Sequence, residues 1–197
     1  MQRLIGLRTI RGLVSALGTL LAGAALAAPD PAVQERLSPC IGCHGAGTSE
    51  TEGVPSLGGQ MPDYVVTQLF QFREKQREAA PMNDIAAGFS DDDLRAYADA
   101  VGTLPPPSRA GEPADPALTA RGQALVAKHQ CTSCHGADLA GRDAIPRIRD
   151  QREEYLAKAL AGYKSNARPG YDPAMNEVAQ ELSESDIKDL AAYVSRL

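Results

Sequence analysis

The 197-residue chain has no tryptophan and only six tyrosines and three phenylalanines, so aromatic side chains cannot fill a large interior. It has three histidines and four cysteines, too few to supply two four-ligand zinc sites. No segment keeps a convincing strand period, which removes βαβ units and with them a thioredoxin-like setting for a cysteine pair. Basic residues are also in deficit, 20 Lys+Arg against 25 Asp+Glu, for a formal charge of −5. Nucleic acid and anionic membrane surfaces are poor partners for such a chain, whereas positively charged patches on other proteins suit it.

What is present begins with a leader. Arg3, Arg8 and Arg11 precede an uncharged run rich in Leu, Ala and Gly, which ends in Ala25-Leu26-Ala27, the small-x-small pattern of a secretory cleavage site. Residues 1–27 are therefore expected to be an export signal. No later run approaches the ~20 apolar residues of a membrane helix. The mature chain would start near Ala28 with 17 Lys+Arg against 25 Asp+Glu, a net charge of −8.

All four cysteines fall into two pentapeptides, Cys40-Ile41-Gly42-Cys43-His44 and Cys131-Thr132-Ser133-Cys134-His135. C-x-x-C-H is the signature of covalent c-type haem attachment: each thiol adds to a vinyl group, and the adjoining imidazole becomes an axial iron ligand. A disulfide framework would not require a histidine after the second cysteine both times. Zinc would have only His129 to call on beyond the motifs. Haem of this type is joined to its protein outside the cytoplasm, which agrees with export and places the chain in a bacterial periplasm.

The motifs belong to a longer repeat. At an offset of 91, Cys40, Cys43, His44, Gly45, Ala46, Pro55, Gln60, Tyr64, Leu69 and Arg77 fall on Cys131, Cys134, His135, Gly136, Ala137, Pro146, Gln151, Tyr155, Leu160 and Arg168. The second copy then gains two residues, and Met82, Asn83, Ala86, Ser90 and Asp93 match Met175, Asn176, Ala179, Ser183 and Asp186. Met82 and Met175 follow their histidines by 38 and 40 residues and are the candidate sixth ligands. Met61 falls opposite Arg152, which makes it a packing residue. His129 falls opposite Ser38 and reads as a surface or helix-end residue. The unequal loops before the methionines predict haems of different exposure and potential.

Five prolines between Thr103 and Ala117 mark a stiff connection, so the expected units are a domain at 28–104, a linker at 105–117 and a domain at 118–197. Both domains read as helical. Val65, Leu69 and Phe72, matched by Leu156, Leu160 and Tyr163, form one apolar stripe; Leu94, Tyr97 and Val101, matched by Ile187, Leu190 and Val194, form another. Ser90 with Asp93, and Ser183 with Asp186, predict capped starts for the second helix of each pair. Shorter helices are expected around 32–37 and 119–128.

On these motifs the mature sequence resembles a duplicated class I c-type cytochrome, and most of all the dihaem cytochrome c4 family. The resemblance implies an all-α fold of two tandem class I domains, each wrapped around one covalently bound haem c. It implies that the carbonyls of Pro55 and Pro146 accept a hydrogen bond from the ligand histidines, and that Tyr64, Tyr155, Arg77 and Arg168 lie near the haem propionates. It further implies an electron carrier rather than an enzyme, passing electrons from respiratory donors toward terminal oxidases and touching membranes only through membrane-bound partners. The same architecture also serves as the electron-accepting subunit of a periplasmic dehydrogenase. A dihaem peroxidase is disfavoured by the matched methionines and the absence of a long insertion. Mass spectrometry of the exported protein is expected to show an N-terminus near Ala28 and the added mass of two haems; one haem would break the inference from the repeat.

Overall fold

Residues 31–107 and 114–197 are described by the computed structural model; the expected leader and residues 108–113 of the expected linker lie outside the described residues. The described residues form helices α1 (Pro31–His44), α2 (Pro62–Arg73), α3 (Met82–Ala86), α4 (Asp91–Gly102), α5 (Pro116–Lys128), α6 (Cys131–His135), α7 (Glu153–Lys164), α8 (Ala174–Gln180) and α9 (Glu184–Val194). Among them there is no strand, only an isolated bridge between Arg142 and Ile145.

The helices start where the sequence places their caps. Ser90 Oγ accepts from Asp93 N–H while the Asp93 carboxylate accepts from Ser90 N–H, and Ser183 and Asp186 repeat the arrangement at α9. These bonds hold both carboxyls below the usual carboxylate range. The expected stripes face inward: on α4 Leu94 and Val101 are buried and Tyr97 is half-buried against the same core, and on α9 Ile187, Leu190 and Val194 are buried. Helix α2 packs on α4, and its counterpart α7 packs on α9. Helices α1 and α5 close the two cores against α4 and α9. Packing between helices falls wholly within α1–α4 and within α5–α9.

The copies differ ahead of the motifs. The first has one helix, which runs past the expected end at 37, through Pro39, to His44. The second breaks at Gln130, whose φ of 51° is left-handed, so α5 and α6 are separate. His129 caps the C-terminus of α5 but does not lie at the surface: its ring is buried, both ring nitrogens lack a hydrogen bond, and Nδ1 is 3.6 Å from Glu181 Oε2. The left-handed turn at Gln130 accompanies that inward position.

Both ends of the proline-rich stretch are structured. Pro105 and Pro106 lie on the loop at Gly58 and Gly59, where Gly59 N–H donates to Leu104 O at 3.0 Å, and Asp115 caps α5 through the amides of Ala117 and Leu118. On the inner side of α5, Gly122 leaves no room for a Cβ against the Tyr193 ring. Alanine normally gains about 1 kcal/mol over glycine in a helix. Here overpacking by about 1–3 kcal/mol outweighs that gain. Gly122→Ala is expected to lower the thermal midpoint of the second half, as followed by calorimetry.

Candidate functional site

Each C-x-x-C-H ends a helix, which sets its three side chains along one turn. Gly45 and Gly136 follow with φ of 70° and 85°, a conformation that a side chain would strain, and the chain turns sharply away after each histidine. Eleven residues later it returns. His44 Nδ1 lies 2.7 Å from Pro55 O, and His135 Nδ1 lies 2.8 Å from Pro146 O. A carbonyl can only accept, so the proton is on Nδ1 and the lone pair is on Nε2. Burial lowers both imidazole pKa values, with the carbonyl bond acting partly against it, so the rings are neutral at pH 7. Two neutral imidazoles thus present Nε2 as a donor for iron.

The loops are held from within. In the first copy Ser49 N–H donates to Ser56 Oγ at 3.0 Å and Ser49 Oγ donates to Cys43 O at 3.2 Å. In the second, Gly141 N–H donates to His135 O at 2.9 Å and Arg142 donates to Ser133 O at 2.7 Å. None of the four cysteines is in a disulfide. Cys40 and Cys131 are half-buried against their cores and their pKa values are raised by burial, whereas Cys43 and Cys134 are exposed. Each motif therefore offers one thiol facing the core and one facing outward. Among the described residues no three His, Cys, Asp or Glu side chains converge to hold a bare metal ion.

Met82 opens α3 and Met175 is the second residue of α8, both half-buried. The asparagine after each methionine anchors it. Asn83 accepts from Ala79 N–H (2.7 Å) and donates to Phe72 O (3.0 Å) and Arg77 O (2.8 Å). Asn176 accepts from Gly170 N–H (2.8 Å) and donates to Tyr163 O and Arg168 O (both 3.0 Å). These partners are equivalent under the repeat, so two loops of different length are tied to the same points. Met61 sits elsewhere, as the residue before α2.

Tyr64, Tyr155, Arg77 and Arg168 gather between the two halves. The buried Arg168 donates to Tyr64 Oη at 2.9 Å and to Tyr155 Oη at 3.3 Å, while Arg77 bonds Gln68. Arg77 lies over the Phe72 ring and Arg168 over the equivalent Tyr163 ring, each 4.6 Å from the centroid. Burial raises the Tyr64 hydroxyl; at Tyr155 the nearby Arg168 and Arg77 guanidiniums outweigh burial and pull it down.

Four functional residues had no role in the sequence reading: Asn83, Asn176, Gln60 and Gln151. Their only signal was that polar residues matched across the repeat where a surface would have drifted. Asn83→Ala removes three hydrogen bonds of about 1 kcal/mol each. A loss of about 2–3 kcal/mol in urea unfolding is expected, with Asn83→Asp losing less because it keeps the acceptor for Ala79 N–H.

Known proteins share this arrangement. The Cytochrome c family model matches residues 119–197. The chain is 33% identical to a cytochrome c4 of Pseudomonas aeruginosa, over 94% of this chain and 98% of that one. It is 29% identical to a thiosulfate dehydrogenase electron acceptor of Stutzerimonas stutzeri, covering 80% of this chain and 78% of that one. The crystal structure of reduced recombinant cytochrome c4 from Pseudomonas stutzeri superposes with a TM-score of 0.76 at 29% identity, over 86% of this chain and all of that one.

Proposed function

The chain belongs to the cytochrome c4 family of electron-transfer proteins with covalently bound haem c, and from this premise we propose that it is a dihaem carrier working in the periplasm. Its residues 28–104 and 118–197 form one haem domain each, joined by 105–117, after removal of residues 1–27. The observation that carries the proposal is the twin placement of a histidine whose Nδ1–H is spent on a proline carbonyl, directly after a cysteine pair that forms no disulfide.

The donor set fits the group. Cys40 and Cys43, and Cys131 and Cys134, would hold a haem each through thioether links; His44 with Met82, and His135 with Met175, would be the ligands to its iron. Bound haem supplies reversible one-electron chemistry at iron, and Met/His ligation favours a raised reduction potential. The protein's part is to hold ligands still. Pro55 and Pro146 fix the tautomer and ring orientation of the histidines, which raises their basicity. Asn83 and Asn176 clamp the methionine loops, which would hold Met82 and Met175 in place as ligands to a bound haem. Tyr64, Tyr155, Arg77 and Arg168 offer hydroxyl and guanidinium donors for propionates at the junction.

This combination supports a carrier between respiratory donors and terminal oxidases and gives no support to peroxidase chemistry. The acidic surface directs it to basic patches on redox partners. Among the described residues no helix is long and apolar enough to cross a membrane, so contact with membranes is proposed to run through membrane-bound partners. The similarity to thiosulfate dehydrogenase electron acceptors favours a second reading, an electron-accepting subunit of a periplasmic dehydrogenase, which would co-purify with a larger catalytic chain.

Potentiometric titration of the haem-loaded protein is expected to resolve two reversible one-electron steps from low-spin haems that ignore peroxide. Met175→Ala is expected to turn one haem high-spin, lower its potential and make it peroxide-reactive. A wild-type protein with a high-spin, peroxide-reactive haem would overturn the Met82 or Met175 assignment.

A further inference from the structure

The two halves are joined by a pair of glutamines that the repeat makes equivalent. Gln60 Oε1 accepts from Arg147 N–H at 2.8 Å and its Nε2 donates to Arg147 O at 3.1 Å. Gln151 Oε1 accepts from Ser56 N–H at 2.8 Å and its Nε2 donates to Ser56 O at 2.9 Å. Ser56 and Arg147 are themselves equivalent under the offset of 91. Both glutamines are buried, and reversing either amide would set donor against donor, so the orientation is unambiguous.

The gripped residues are the ones that follow Pro55 and Pro146. Arg147 N–H and Pro146 C=O belong to one peptide group, as do Ser56 N–H and Pro55 C=O, and resonance couples the two ends of each group. A continuous chain therefore runs from Gln60 Oε1 through the Pro146–Arg147 peptide to His135 Nδ1–H. Its mirror runs from Gln151 Oε1 through the Pro55–Ser56 peptide to His44 Nδ1–H. Hydrogen bonds in such chains polarise one another, by about 10–30% per bond. An acceptor on the N–H makes the carbonyl a stronger acceptor, and a stronger acceptor on Nδ1–H makes Nε2 a stronger donor to iron.

We propose that Gln60 and Gln151 are positioning residues that tune the reduction potential of the haem in the opposite domain, each acting through one proline peptide on the far histidine. This rests on the reading of His44 and His135 as iron ligands. Withdrawing either glutamine weakens the distant histidine as a donor, destabilises the ferric state and raises that haem's potential. The coupling is reciprocal: the redox state of each haem alters the grip of the other domain on its own proline loop.

The test is a crossed pair of variants, Gln60→Leu and Gln151→Leu, in the haem-loaded protein. Separate midpoint potentials are followed by NMR through the Met82 and Met175 methyl resonances. Gln60→Leu is expected to raise the potential of the His135 haem and shift the His135 Nδ1–H resonance, with the His44 haem moving less; Gln151→Leu should do the reverse. Simple loosening of the interface would move both haems alike in both variants, and that result, a same-domain shift or no shift would overturn the proposal. If the variants do not fold, the wild type serves: oxidation should slow hydrogen exchange at the Arg147 and Ser56 amides relative to the Ile148 amide, and unchanged relative rates would overturn it. A wild-type spectrum without nitrogen-ligated haem would refute the ligand reading itself, before any variant is compared.

Discussion

The bond from a histidine Nδ1–H to a proline carbonyl, made once in each half, is the constraint on which the rest of the structure depends. It fixes the tautomer, sets the ring plane and closes the loop that follows the thiols. Without it the imidazole would be free to turn. The left-handed glycines after the histidines and the serine contacts inside the first loop bring the proline back to this point. Proline suits the position because it has no N–H of its own to compete for partners in the turn.

The methionine loops are held by a different device. An asparagine directly after the methionine accepts one amide and donates to two carbonyls, tying the loop to the end of α2 or α7. The two-residue difference between the loops is absorbed without moving these anchors. Duplication has thus kept the contact points and let the span between them vary.

Among the described residues no helix of one half packs on a helix of the other; the halves meet through directed hydrogen bonds, from loops and from Tyr64 and Gln68 on α2. The Gln60 and Gln151 bonds, with Arg152 donating to Ser49 O at 3.0 Å and Arg168 reaching Tyr64, fix a register that apolar contact alone would leave free to slide. Because the glutamines grip the peptides whose carbonyls face the histidines, docking of the two halves and orientation of His44 and His135 share the same peptide groups.

Covalent spacing and helical periodicity are local properties, and the sequence by itself determined what they control. The paired C-x-x-C-H, the matched Met82 and Met175, the inward stripes of α4 and α9 and their serine caps could all be read in order along the chain. Pro55 and Pro146 were reached through the family resemblance, and the structure placed both at the histidines. His129 does end α5 but is not at the surface, because burial at a helix end depends on tertiary neighbours such as Glu181. The roles of Asn83, Asn176, Gln60 and Gln151 were decided only by tertiary structure. Their partners are backbone groups, which carry no sequence identity, and those of the glutamines lie 87 and 95 residues away.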